Sequence, residues 1–122
     1  MYIKYTLIVL LLLIFSCKTT QTLPDPLEAG WEGEKVCEVL SETKKQRVLK
    51  CVFPPNVGHQ KHYHKPHFGY TLAGSIFKIT DNKGTRDVPV TTGVNWVKTE
   101  LSEHEVLNIG DSTALFLIVE PK

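Results

Sequence analysis

The sequence predicts an all-β fold, an antiparallel sandwich or jelly roll. Three observations carry that expectation. From Trp31 onward no long stretch repeats its apolar residues with the 3.6-residue period of a helix. Short runs rich in β-branched and aromatic residues recur at close spacing. Glycines and turn-forming clusters separate those runs, which suits many short strands folded back on one another.

The first two candidate strands are Lys35–Leu40 and Arg47–Phe53. Folded about Lys44, they place Cys37 opposite Cys51, Val39 opposite Leu49 and Glu38 opposite Lys50. Cysteine and apolar pairs then share one face and an ion pair lies on the other, as a hairpin requires. The two cysteines can form a bridge or remain as buried thiols, and the pattern leaves both open. Next come Phe68–Ala73 and Ser75–Thr80, separated by Gly74. Asp81-Asn82-Lys83-Gly84 is a strong turn into Arg86–Val90. Gly93 precedes Asn95–Lys98, and Ile109-Gly110-Asp111 separates Glu105–Asn108 from Thr113–Val119.

Upstream of this region the chain has a different character. Leu7 to Phe15 is an unbroken apolar run preceded by Lys4 and followed by Ser16-Cys17. It is shorter than the roughly 20 residues a spanning helix needs, and its layout is that of an export signal. Leu13-Ile14-Phe15-Ser16-Cys17 resembles a bacterial lipobox, which implies cleavage before Cys17 and lipidation of its thiol. The expected organisation is therefore a lipoprotein signal peptide over 1–16, a flexible tether from lipidated Cys17 over 17–30, and a β domain over 31–122. It places the protein at the cell envelope, held on a bacterial membrane by its lipid and facing the periplasm or the exterior. The 122 residues suffice for one domain, and a net charge of +1 without a basic block gives no case for nucleic acid.

The chemistry is concentrated in His59-Gln60-Lys61-His62-Tyr63-His64-Lys65-Pro66-His67, which holds four of the five histidines. The fifth is His104. Neutral imidazole is the commonest protein ligand for transition metals, and several on one scaffold make a site. His62 and His64 are two apart, so a strand points both to one face. Pro66 bends the chain and can return His67 over that face. His59, beside Gly58 in a Pro54-Pro55-Asn56 loop, reads as a solvated loop histidine. Glu103 and Glu105 flank His104 and face away from it on a strand. Trp31 and Trp96 read as core or rim packing, and Tyr70 as packing in a strand. A phosphate-binding glycine loop, a Cys-x-x-Cys redox pair and a Gly-x-Ser-x-Gly nucleophile motif are all absent.

With these residues placed, the chain resembles a small single-domain cupin. The family's first motif carries His-x-His, then a Glu, then a Gly after six residues. Here His62-x-His64 matches, His67 stands at the Glu position, and Gly74 follows at the right distance. In the second motif Gly93, His104 and Asn108 fall at the family's spacings, while Thr99 and Leu101 replace its Pro and second Gly. The interval from Gly58 to His62 is two residues short, and Pro66 lies within a shortened gap after His64. The resemblance runs from about Lys35 to the end and implies a double-stranded β-helix barrel.

The resemblance also implies a divalent transition metal (Fe, Zn, Mn, Ni or Cu) held by His62, His64, His67 and His104. In the barrel His104 is expected from a strand reaching across to the His-x-His pair. Such a site lacks the family's usual carboxylate and resembles the all-histidine iron site of cupin thiol dioxygenases. Two functions follow as expectations. One is metal-dependent, dioxygenase-like oxidation of a small molecule. The other is a non-catalytic lipoprotein that captures a metal or small ligand, since four histidines can close a tetrahedral site. The expected partners are a small-molecule ligand and a membrane, reached through the lipid, with a homodimer left open.

Overall fold

The computed structural model describes residues 21–122. The expected signal peptide over 1–16, the lipidation site Cys17 and the first part of the tether lie outside the described residues. Those described form an all-β jelly-roll barrel with no helix.

Eleven strands follow one another: β1 Gly30–Trp31, β2 Glu34–Lys35, β3 Cys37–Glu42, β4 Gln46–Phe53, β5 Gly58–His64 and β6 His67–Ala73. They continue as β7 Ser75–Asp81, β8 Gly84–Val90, β9 Asn95–Lys98, β10 Ser102–Asn108 and β11 Ala114–Pro121. One sheet has the order β3-β4-β11-β6-β9 and the other the order β5-β10-β7-β8. Every pairing is antiparallel, and β1 and β2 form a separate small hairpin. Its turn places Glu32 and Gly33 at φ 49° and 86°, the left-handed pair that a two-residue hairpin turn requires.

The hairpin expected around Lys44 has the register read from the sequence. Cys37 pairs with Cys51, Glu38 with Lys50 and Val39 with Leu49. Cys37 and Cys51 are joined as a disulfide with Cα atoms 4.1 Å apart. Asp81–Gly84 closes the β7–β8 hairpin as its turn chemistry predicts.

The core lies between the two sheets. Leu49, Phe53, Phe77, Phe116 and Ile118 are buried there. Phe53, Phe77 and Phe116 meet edge-on, with ring centroids 5.4–5.8 Å apart. Such contacts add about 0.5–1.5 kcal/mol each beyond the area they bury.

Asn108 locks one end of the barrel. Its amide donates to Phe53 O and Ser112 O, both at 2.8 Å, while its Oδ1 accepts from Ser75 Oγ–H and Gly110 N–H. This fully buried amide is satisfied on both ends and ties β10 to β4, to β7 and to the loop before β11. The Asn at the end of the second motif is thus structural.

Two regions differ from the sequence reading. Gly58–Gln60, read as loop, belongs to β5, whose polar residues carry no apolar alternation to mark a strand. The stretch Pro24–Ala29, read as tether, packs on the barrel. Asp25 accepts from the Leu27 and Glu28 N–H groups, Tyr63 N–H donates to Pro24 O, and Ala29 is fully buried. Arg47 donates to both Asp25 and the buried Glu120, joining this stretch to β4 and β11. Two prolines and a pair of charges suggest a linker, but here the prolines shape a turn and the charge is paired.

Candidate metal centre

Three of the four expected ligands converge. His62 and His64 lie on the inward face of β5, as their spacing requires. His104 lies directly opposite His62 on the adjoining strand β10. The expectation that it reaches across the barrel is thus corrected: the two strands are hydrogen-bonded neighbours in one sheet. His62 Nε2 is 2.9 Å from His64 Nε2, which is 3.2 Å from His104 Nε2. The ligand nitrogens of the trio all lie within 4.8 Å of one another. Glu103 and Glu105 point out to solvent, as expected.

His67 is buried beside this trio, its ring centroid 4.7 Å from that of His64. Both of its nitrogens have partners elsewhere. Nδ1–H donates to Lys65 O at 2.7 Å, and Nε2 accepts from the Trp96 indole N–H at 3.1 Å. The one lone pair of His67 that could reach a metal is therefore spent on Trp96. Pro66 does turn the chain back, but the ring binds the neighbouring strand β9 instead of joining the other three. Trp96 reaches that position because Gly69, its cross-strand partner, has no side chain. A Cβ there would collide with the indole.

His59 is a second correction. It is 2 % exposed, its Nε2 is hydrogen-bonded to Pro26 O, and its ring lies 3.8 Å from that of His62. Three residues apart on a regular strand, His59 and His62 would face opposite ways. The register between β5 and β10 shifts here, with two residues of β5 set against one of β10. That bulge at Gln60 and Lys61 resets the alternation and turns His59 inward. Periodicity alone gives no warning of it. The predicted packing role of Trp96 was likewise incomplete, since nothing in the sequence pairs it with His67.

The electrostatics favour neutral rings. Burial is the main cause at every one of these histidines, and a neighbouring imidazole adds to it at each except His67, where Lys98 does. His59 and His104 are pushed down to about 3, and His64 lower still. Burial also lowers His62 and His67, partly offset by their hydrogen bonds to backbone carbonyls. At neutral pH the cluster is therefore in the deprotonated form that binds metal.

The donor set fits a transition metal. His62 Nδ1–H donates to Gln60 O at 2.7 Å, which leaves a lone pair on Nε2. That lone pair faces His64 Nε2, and His64 Nδ1 is buried without a partner. With Nδ1 protonated, His64 turns a second lone pair toward the first, a repulsion that a cation between them removes. An ion bonded at about 2.0–2.1 Å spans no more than about 4.2 Å between two ligand nitrogens. The two close pairs meet that limit, and the trio as a whole needs only a small closure. These residues would hold the metal through Nε2 of His62, His64 and His104.

The cluster opens on a cavity of about 810 Å³ between the sheets. Phe53, Phe77, Trp96 and Phe116 line its interior, with the histidines along one wall. The size suits a small organic molecule, with apolar walls and a few polar groups beside the site.

No family model and no curated protein matches the chain. Solved structures do. A cupin domain from Bordetella pertussis Tohama I is 21% identical with a TM-score of 0.66, over 84% of this chain and 99% of that one. The polyketide cyclase RemF from Streptomyces resistomycificus is 21% identical with a TM-score of 0.58, over 70% of this chain and 63% of that one. A predicted oxalate decarboxylase from Thermotoga maritima is 19% identical with a TM-score of 0.52, over 70% of this chain and 79% of that one. These likenesses establish the fold as the jelly-roll barrel of cupin domains.

Proposed function

We propose that this chain is a metal-dependent, dioxygenase-like small-molecule oxidoreductase of the cell envelope, using a three-histidine site in a cupin-type barrel. The observation that carries the reading is the convergence of three Nε2 atoms on the cavity while the fourth histidine is engaged by Trp96. Three protein donors leave positions for a substrate, as catalytic sites require, whereas four would close a tetrahedral site. A divalent transition metal bound there would supply Lewis acidity and, if redox-active, electron transfer.

The chain's own residues would do the rest. Gln60 O fixes the His62 tautomer, and His59 packs against the His62 ring. The aromatic cavity wall excludes water and receives the apolar part of a ligand. Two of the similar structures, the polyketide cyclase and the predicted oxalate decarboxylase, bear the names of different reactions, which supports enzymatic use of this barrel but not a choice of reaction. The envelope assignment rests on the apolar run and the Ser16-Cys17 pair, and the Cys37–Cys51 disulfide suits an oxidising compartment.

A second reading is a non-catalytic binding lipoprotein. The stacking of His67 on His64 favours it, because rotation of His67 away from Trp96 would bring a fourth donor near. Metal analysis of the untagged protein tests the shared premise. About one ion per chain is expected, with loss in His104→Ala; metal retained in that variant rejects the site. Cobalt loading followed by azide addition separates the two readings. A shifted visible spectrum supports the open site, and an unchanged one supports the closed site. Replacing Cys17 with Ser should release the protein from membranes or leave it unprocessed; unchanged attachment and processing reject the lipid anchor.

A further inference from the structure

The segment Pro24–Ala29 reaches the histidine cluster through β5. Its Pro26 and Ala29 side chains are fully buried, and Leu27 packs against the core. Pro26 O accepts the Nε2–H of His59 at 3.1 Å. Pro24 O accepts the N–H of Tyr63, the residue between His62 and His64. Both contacts fall on the strand that carries the His-x-His pair. The chain then enters β1, whose Trp31 ring lies so close to Gly58, beside His59, that a Cβ there would collide with it. His59 in turn stacks on His62, with ring centroids 3.8 Å apart and planes inclined at 33°.

We propose that this segment is a working part of the metal centre: docked, it holds His59 inward against His62 and so sets the aim of His62 Nε2. The inference rests on the three-histidine metal site proposed above. Its ground is a chain of contacts. The Nε2–H of His59 is buried, and Pro26 O is the partner that satisfies it. A buried donor without a partner is costly, so lifting the segment would turn His59 out to water. The His62 ring would keep its Nδ1 bond to Gln60 O but lose the flat surface that limits its rotation. Binding geometry has to hold within about 0.5 Å, so the loss falls on metal affinity more than on the fold.

The segment is latched to the barrel. Asp25 Oδ1 accepts from the Leu27 and Glu28 N–H groups and shapes the turn, while Oδ2 meets Arg47 at 3.2 Å. Arg47 is itself fixed by the buried Glu120 on β11. Lys35 Nζ adds a clasp, donating to Leu27 O at 2.9 Å. His59 is therefore a positioning residue for His62, and Asp25, Leu27 and Arg47 position His59. The Glu42–Lys122 pair is different. It lies on the exposed edge strand β3, in the other sheet from β5.

Zinc affinity of the full chain, read by chelator competition, tests the coupling. Asp25→Ala combined with Leu27→Ala frees the segment and should weaken zinc binding to the same extent as His59→Ala, roughly 10–100-fold. Adding His59→Ala to that pair should cost little more, because all three residues act through one contact. Glu42→Ala should leave affinity unchanged. Unaltered affinity in the Asp25 and Leu27 variant, or losses that multiply when His59→Ala is added, overturn the inference and leave the metal site standing. An unsubstituted chain that binds no zinc overturns both. Amide exchange in the unsubstituted chain covers the case in which the variant fails to fold. Coupling is reciprocal, so bound zinc must hold the segment down. The Ala29 N–H, bonded to Asp25 O, should exchange roughly five-fold or more slowly with zinc bound, while the Thr43 N–H in the β3–β4 turn should not change. Equal slowing at both amides, or none at Ala29, overturns the coupling.

Discussion

The five-stranded sheet is apolar on both faces, whereas the four-stranded sheet is polar outside and carries four histidines inside. The difference shows where each sheet draws its order. Leu49, Phe116 and Ile118 hold the first by burial. At its histidine end the second instead buries polar rings, which are costly to dehydrate unless partnered. His59 and His62 have backbone partners there, and His64 Nδ1 has none. One sheet therefore supplies stability, and the other accepts a cost in stability to gather imidazole nitrogens at one place.

The largest effects should come from breaking the histidine face. Alanine at His62, His64 or His104 should lower metal affinity well beyond the roughly 10–100-fold typical of losing an outer partner. His59→Ala, which touches His62 only ring to ring, should fall within that range. Titration with a competing chelator measures both, and equal losses at His59 and His104 would erase the distinction between ligand and support.

Acid should next expose the cost of the buried rings in the metal-free protein. The folded-state values of His59 and His104, about 3, lie below the ordinary 6.5. Below pH 6.5 the unfolded chain therefore binds more protons. Stability should be level above that pH and decline as pH falls toward 3, by on the order of several kcal/mol. Urea unfolding at a series of pH values tests this, and a flat profile from pH 7 to 4 contradicts it.

Asn108→Ala should cost about 2–4 kcal/mol, since it leaves the carbonyls of Phe53 and Ser112 without their donor. Thermal unfolding reads the loss, and metal affinity should change far less. Trp96→Phe, at the seam between the sheets, should cost about 1 kcal/mol of stability and release His67 Nε2. X-ray absorption of the loaded variant then counts the nitrogen ligands: a rise from three to four identifies Trp96 as the group that keeps His67 off the metal. The smallest effect belongs to the outer face. Val97→Thr should shift chain stability by no more than about 0.5 kcal/mol, because its side chain is packed against little within the monomer.

Much of this was legible in the residues. The β3–β4 register followed from matching Cys37 with Cys51 and Glu38 with Lys50, since period-two alternation leaves one register that sorts both pairs. The His62-x-His64 spacing fixed two rings on one face for the same reason. The strand Gly58–His64 was harder to see in full because its inward positions are histidines, so polarity no longer marks the solvent side. Pro24–Ala29 misled in the opposite way, having a linker's composition but a turn held by Asp25 and Arg47.

Alternation and spacing act locally, so the sequence by itself determined the all-β class, the first hairpin and the His62–His64 pair. The tertiary structure alone decided which remaining histidines join them. The bulge turned His59 inward, the β5–β10 pairing set His104 against His62, and the Trp96 indole drew His67 away. Each of those outcomes depends on a neighbouring strand, and local spacing carries no information about which strand that will be.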